Sequence, residues 1–160
     1  MISKIKFLIM DVDGTLTDGK IYMGNDGEVM KAFNIKDGCG IHDLLLPAGI
    51  IPVIITGRKS QILVNRCNEI GIKELFQGVR DKVETLKSFL YSNDAVMSDV
   101  AYIGDDINDL DCMNVIKEAG GIIGCPADAV DSVKRYADHI GRKAGGDGAV
   151  REFIEYILNL

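Results

Sequence analysis

The sequence predicts an α/β protein built on a doubly wound parallel sheet. Three observations carry that reading. Short apolar runs alternate in order with amphipathic stretches. The runs are apolar throughout rather than at every second position, as in strands covered on both faces. The acidic clusters follow the ends of the runs, where folds of this class bind their ligands.

The elements follow in order. Ile5–Met10 is an apolar run that stops at Asp11-Val12-Asp13-Gly14-Thr15 and reads as a buried strand. Lys20–Met23 and Glu28–Phe33 flank Gly24-Asn25-Asp26-Gly27, a turn sequence that predicts a hairpin. Asp37–Leu46 is expected as a short helix, and Ile50–Thr56 as a second buried strand with Pro52 near its start. Helix Ser60–Ile70, short strand Leu75–Gln77 and helix Lys82–Tyr91 come next. Strand Val100–Ile103 ends in Gly104-Asp105-Asp106 and leads to helix Asp109–Ala119, minimal strand Gly121–Gly124 and helix Asp128–Tyr136. After the glycine-rich loop Gly141–Gly148, Val150, Phe153, Ile154, Ile157 and Leu158 form one helical stripe. With 160 residues, 47% of them apolar, the chain fits one domain spanning 1–160 with a sizeable core.

Composition narrows the function. Eighteen basic and 24 acidic residues give a formal charge of −6, which disfavours nucleic acid and anionic membranes as partners, because phosphate binding rests on clustered Lys and Arg. The longest apolar runs, such as Gly49–Ile55, are far short of the ~20 residues of a membrane helix. The start, Met1-Ile-Ser-Lys-Ile-Lys, shows no signal-peptide pattern, and a cytoplasmic location is expected. Cys39, Cys67, Cys112 and Cys125 are scattered without a C-x-x-C pair and read as reduced structural thiols.

The polar residues gather at the strand ends. Asp11 and Asp13, two apart on an extended segment, can face one site while Val12 packs inward. Clustered carboxylates repel one another unless they hold a hard cation, and oxygen-rich sites select Mg²⁺ or Ca²⁺. Thr56 offers a hydroxyl, Lys82 a cation near a helix N-terminus, and Asp105 and Asp106 further carboxylates. Acids, metal, hydroxyl and lysine together suit phosphoryl transfer to an aspartate. Blander readings stand beside this one. Asp11–Gly14 could be a turn, Asp105–Asp109 a helix cap, Lys82 a solvated lysine, and Arg58 and Arg66 surface charges.

Asp-Val-Asp-Gly-Thr-Leu-Thr-Asp (11–18), Ile-Thr-Gly-Arg (55–58), Asp81-Lys82 and Gly-Asp-Asp-Ile-Asn-Asp (104–109) resemble, in order, the four motifs of the haloacid dehalogenase (HAD) phosphatase superfamily, with its Rossmann-like fold. Thr-Asp-Gly-Lys-Ile-Tyr (17–22), Lys-Ala-Phe-Asn-Ile-Lys-Asp-Gly (31–38), Gln-Gly-Val-Arg-Asp-Lys (77–82) and Gly-Ala-Val-Arg-Glu (148–152) resemble the small capless subgroup acting on 3-deoxy-D-manno-octulosonate 8-phosphate (KDO 8-phosphate), a lipopolysaccharide precursor.

The resemblance implies a phosphatase with a hairpin insertion, no cap domain and a bound Mg²⁺. It makes Asp11 the nucleophile and a metal ligand, and Asp13 the acid/base that gives the metal its backbone carbonyl. Thr56, Gly57 and Lys82 would hold phosphate, Asp105 would complete the metal site, and Asp106 and Asp109 would orient it. Asn34, Ile35, Lys36, Asp37, Gly38, Arg58 and Arg66 would line the sugar-acid pocket. It also implies a homotetramer with the hairpin 20–33 against neighbouring subunits, closing the adjacent site. Two positions depart: His42 where relatives often have Arg or Lys, and Asp147 where the loop usually has Arg. Other readings kept beside this one are a nonulosonate 9-phosphate phosphatase, a phospho-acceptor receiver domain and a non-catalytic assembly module. In receivers the acid pair and the acceptor lie on different strands, whereas Asp11 and Asp13 share one.

Overall fold

Apolar runs at the expected places form a single parallel sheet in the computed structural model, which describes residues 5–160. The Met1–Lys4 part of the amino-terminal reading lies outside the described residues. In chain order the strands are β1 (Phe7–Met10), the hairpin pair β2 (Tyr22–Gly24) and β3 (Gly27–Met30), β4 (Ile51–Ile55), β5 (Glu74–Phe76), β6 (Val100–Ile103), β7 (Ile122–Cys125) and β8 (His139–Ile140). The helices are α1 (Ile35–Cys39), α2 (Gln61–Ile70), α3 (Lys82–Ser92), α4 (Leu110–Glu118), α5 (Asp131–Lys134) and α6 (Ala149–Leu158). The sheet order is β5-β4-β1-β6-β7-β8, and the hairpin stands apart as a two-stranded sheet.

Strand geometry explains why β1, β4 and β6 are apolar throughout. Successive side chains point to opposite faces. Leu8, Met10, Ile54, Ala101 and Ile103 pack on one face with Ile41, Leu63, Cys67, Phe153 and Ile154. Phe7, Ile9, Val53, Ile55, Val100 and Tyr102 pack on the other with Leu86, Phe89, Met113 and Ile116. Both faces are covered, α2 and α6 on the first and α3 and α4 on the second, so the doubly wound expectation holds.

Local chemistry sets the helix starts. Ser60 caps α2, its hydroxyl accepting from Leu63 N at 3.4 Å, and Asp81 caps α3, accepting from Glu84 N at 3.0 Å.

Four elements differ from expectation. The first helix starts earlier, at Ile35, because the Asn34 side chain accepts from Lys36 N at 2.8 Å. It then widens into a π-helical stretch, Gly40–Leu45. The helix expected over 128–136 shrinks to α5, because Asp128 turns to accept from Gly145 N at 2.9 Å. The hairpin strands are shorter than expected, with Gly24 opposite Gly27 across a two-residue turn. Finally, β8 extends the sheet beside β7, pairing Gly124 with His139 and Cys125 with Ile140.

Cys67, Cys112 and Cys125 are buried free thiols and Cys39 an exposed one, so no disulfide forms. Among the described residues no helix is long and apolar enough to cross a membrane.

Candidate active site

The sheet order places β1 between β4 and β6, so the chain leaves β1 to one side and later returns to the other. Crevices open beyond the carboxyl ends of strands at such switch points. Here an open cleft of about 460 Å³ is lined by Asp11, Asp13, Thr56, Gly57, Arg58, Asp105, Asp106 and Asn108. The expected catalytic, phosphate-holding and metal residues therefore converge on it, apart from Lys82 and Asp109, which sit beneath.

A chain of charge forms the floor. Lys82 Nζ donates to Asp11 Oδ1 at 3.1 Å and to Asp109 Oδ1 at 3.0 Å, and all three side chains are buried. Tyr102, from within the apolar run of β6, donates its hydroxyl to the same Asp109 oxygen at 2.6 Å. Asp109 Oδ2 accepts from the main-chain N–H groups of Asp105 (3.0 Å) and Asp106 (3.3 Å). With both oxygens doubly engaged, Asp109 has little acceptor capacity left and serves as a brace. Asp105 accepts from the Thr15 hydroxyl at 3.2 Å, and Asp106 caps the turn that follows, accepting from Ile107 N at 2.7 Å.

Electrostatics points to a cation. Burial, with the Asp109 charge added and Lys82 opposing, pushes the Asp11 carboxyl up to about 6. Burial and the neighbouring Asp11 and Asp109 push Asp105 up to about 8. Burial pulls Lys82 down, but Asp109 and Asp11 together outweigh it and hold the ammonium above its ordinary value. One oxygen from each of Asp11, Asp105 and Asp109 lies within 4.8 Å of the others. An all-oxygen set with carboxylates in excess of its one lysine fits a hard divalent cation such as Mg²⁺. Asp11 and Asp105, the less engaged acids, could hold it, with Asp109 supporting them.

Asp13 turns its side chain away from this floor. Its Oδ1 is 3.0 Å from Lys31 Nζ, and its Oδ2 is 3.9 Å from Arg58 Nε. Lys31 also pairs with Glu28 Oε2 at 2.9 Å, and Glu28 Oε1 accepts from the Ser60 hydroxyl at 2.8 Å. The root of the hairpin thus folds onto its own cleft, and Phe33 packs on the core. Its outer side chains, including Met23, Val29 and Met30, stay exposed.

The turn after β1 is braced from behind by the glycine-rich loop. Gly14 has φ +88°, and a Cβ there would strike the Asp105 carboxylate. A Cβ on Gly145 would strike the Gly14 carbonyl, and Gly146 N donates to Thr15 O at 3.1 Å.

The expected sugar-acid residues divide. Arg58 lines the cleft, but Ile35, Lys36, Gly38 and Arg66 line a separate groove of about 550 Å³ with His42 and Arg151. Asn34 is the cap of α1, and Asp37 is buried, accepting from Arg151 N at 3.0 Å at the start of α6. Within one chain these residues are not brought to the catalytic cleft. Tyr102, Thr15, Glu28 and Lys31 escape sequence reasoning. Tyr102 sits in an apolar strand, and the charges of the hairpin read as its solvent face.

A paired aspartate after β1, a threonine after β4 and acids after β6, joined by a buried lysine, define a phosphatase of the HAD superfamily. No family model matches the chain. Its sequence is 43% identical over 154 residues to the KDO 8-phosphate phosphatase KdsC of Escherichia coli K12, covering 96% of this chain and 79% of that protein. The Yersinia pestis KDO 8-phosphate phosphatase structure superposes with TM-score 0.91 at 42% identity, covering 99% of this chain and 83% of that one. The Moraxella catarrhalis enzyme, solved with magnesium, phosphate and KDO, gives 0.90 at 39% identity, covering 99% and 88%. The chain belongs to the KDO 8-phosphate phosphatase (KdsC) family.

Proposed function

We propose that this chain is a Mg²⁺-dependent phosphomonoesterase that hydrolyses KDO 8-phosphate to KDO and phosphate. The observation that carries the reading is the buried Asp11–Lys82–Asp109 chain, with Asp105 beside it, at the end of the central strands. Relatives more than 40% identical across nearly the whole chain support the substrate.

Lys82 fixes Asp11 through Oδ1 and presents the nucleophile to the cleft. Attack forms an Asp11 O–P bond as the P–O bond to the sugar breaks, and Asp13 gives its proton to the leaving oxygen. Water then attacks the aspartyl-phosphate while Asp13 takes a proton back, releasing phosphate and regenerating Asp11. Two steps replace one of the slowest reactions known, which needs up to ~10²¹-fold acceleration. Thr56, Gly57 and Lys82 hold the phosphoryl group. When bound at Asp11, Asp105 and the Asp13 carbonyl, Mg²⁺ supplies charge neutralisation for the equatorial oxygens. Asp106 and Asp109 keep those ligands in place.

The sugar acid meets Arg58 in the cleft. The segment Asn34, Ile35, Lys36, Asp37 and Gly38, with Arg66, lines the sugar-acid pocket where copies meet in a homotetramer, Asn34 and Asp37 shaping the segment and the hairpin 20–33 at the interface. The chain works as a single domain spanning 1–160, in the cytoplasm.

Phosphate release from KDO 8-phosphate, glucose 6-phosphate and a nucleotide, each with Mg²⁺ and with EDTA, tests the reading. KDO 8-phosphate should lead in kcat/KM, EDTA should abolish turnover, and Asp11→Asn should lower kcat by about 10³-fold or more with the fold intact. Full activity in EDTA, or substantial turnover by Asp11→Asn, would refute the mechanism. A higher kcat/KM for the neutral sugar phosphate would refute the substrate alone.

A further inference from the structure

We propose that Lys31, at the root of the hairpin, is the positioning residue for the acid/base step. It pins Asp13 through Oδ1 and leaves Oδ2 as the oxygen that gives and takes the proton. The inference rests on the reading of Asp13 as acid/base and adds a residue to it.

The geometry is specific. Lys31 Nζ lies 3.0 Å from Asp13 Oδ1 and 2.9 Å from Glu28 Oε2, and its side chain is only 4% exposed. A lysine gives up much hydration in such a place and stays charged only when partners compensate. Both partners here are carboxylates, and two of the three ammonium donors are directed at them. That disposition leaves Lys31 poorly suited to grip a substrate anion directly. It suits the lysine to hold a neighbour still.

The hold extends to the scaffold. Glu28 Oε1 accepts from the Ser60 hydroxyl at 2.8 Å, and Ser60 N donates to Gln77 Oε1 at 2.7 Å. Ser60 is also the cap of α2. Asp13 is therefore tied through Lys31 and Glu28 to the start of a packed helix, 47 positions away in sequence. A free carboxylate can present either oxygen over a range of rotamers. A pinned one presents Oδ2, which faces the Arg58 side of the cleft at 3.9 Å from Nε. Misplacing a reacting group by about 1 Å can cost ~10²-fold in rate.

An ion pair that merely anchored the hairpin would leave a different kinetic trace. Proton donation matters for an alkoxide leaving group and hardly at all for a phenolate with a strongly acidic conjugate acid. The experiment compares KDO 8-phosphate with p-nitrophenyl phosphate in wild type, Lys31→Met and Asp13→Asn, with circular dichroism to check folding. The readout is kcat/KM, which ends at departure of the leaving group and so leaves out the second step, where Asp13 serves as base for both esters. Lys31→Met should lower it ~10–100-fold on KDO 8-phosphate and less than about threefold on the aryl ester, and Asp13→Asn should show the same bias more strongly. Glu28→Gln, which preserves shape while loosening the hold on Lys31, should show a weaker version of the bias and serves if Lys31→Met does not fold. Equal losses of kcat/KM on both esters, or no loss on either, would overturn the inference. If Asp13→Asn shows the bias and the Lys31 and Glu28 variants do not, this inference alone fails. If Asp13→Asn shows none, the reading of Asp13 fails and the inference falls with it.

Discussion

The floor of the cleft and the hairpin beside it are built on opposite terms. On the floor, Asp11, Lys82 and Asp109 are buried and bonded to one another, to Tyr102 and to main-chain N–H groups, all within one chain. The hairpin is secured at its root by Lys31, Glu28 and Phe33, but Met23 is 61% and Val29 62% exposed. A two-stranded ribbon is marginal in water by itself, and exposed apolar side chains gathered on one element mark a contact surface. The difference teaches that the acids and the lysine of the floor are seated by bonds within a single copy. The hairpin, expected to close a neighbouring site, presents its apolar side chains outward.

The strongest way to break the comparison is Lys82→Met. Removing one partner of a buried ion pair leaves the other charge uncompensated, a loss of about 3–5 kcal/mol. For a domain of this size each kcal/mol moves Tm by about 2–4 °C. Lys82→Met should therefore melt roughly 6–20 °C lower and lose turnover, read by calorimetry and phosphate release. A variant that melted like wild type would show that the floor is not held by this lysine.

A smaller effect sharpens the contrast at the far groove. Burial pushes the Asp37 carboxyl up to about 6; the Asp147 charge adds to this, while the N–H groups of Arg151 and Gly148 oppose it. The unfolded chain titrates near 3.8, so between these values the native state binds the extra proton. The contribution of Asp37 to stability is then fully present below about pH 4 and is lost as pH rises through about 6, by up to ~3 kcal/mol. Asp37→Asn cannot ionise and should not share that loss. The difference in Tm between Asp37→Asn and wild type should grow in favour of the variant from pH 4 to pH 7. A difference independent of pH would contradict this.

The smallest effect on the fold is expected at the hairpin tip. Met23→Asp with Val29→Asp alters exposed side chains, so the stability of the isolated chain should change by only about 0.5 kcal/mol. Light scattering should nevertheless show a wild-type oligomer falling to smaller species in the double variant, with kcat/KM for KDO 8-phosphate falling alongside. A wild-type monomer fully active at nanomolar concentration would remove the hairpin from the argument.

Much of the floor was legible because its chemistry is local. Asp11 and Asp13 stop an apolar run, and Asp105, Asp106 and Asp109 stop another, so strand ends and acids coincide in the sequence. The parity of β1 and β6 was legible for the same reason, since an uninterrupted apolar run has both faces covered. What escaped depends on partners distant in the chain. Lys31 meets Asp13 across 18 positions and Ser60 meets Glu28 across 32, and in a hairpin pattern such charges read as solvated. Tyr102 was hidden because a strand tyrosine looks like core, which it also is; only its hydroxyl reaches the site. The helix expected over 128–136 failed because Asp128 spends its carboxylate on Gly145, a bond that no local propensity encodes. The two residues of β8 are too few to give a periodic signal.

The contact between Gly145 and Gly14 has a temporal consequence. The turn after β1 is made early, yet the backbone that presses on it comes more than 125 residues later, just ahead of α6. Loop closure over such a span is unfavourable until the intervening sheet has brought the ends together. Asp11 is therefore made well before the backbone that braces its turn. Until Gly145 docks, the turn that carries Asp11 lacks its brace, and that brace arrives together with the docking of α6.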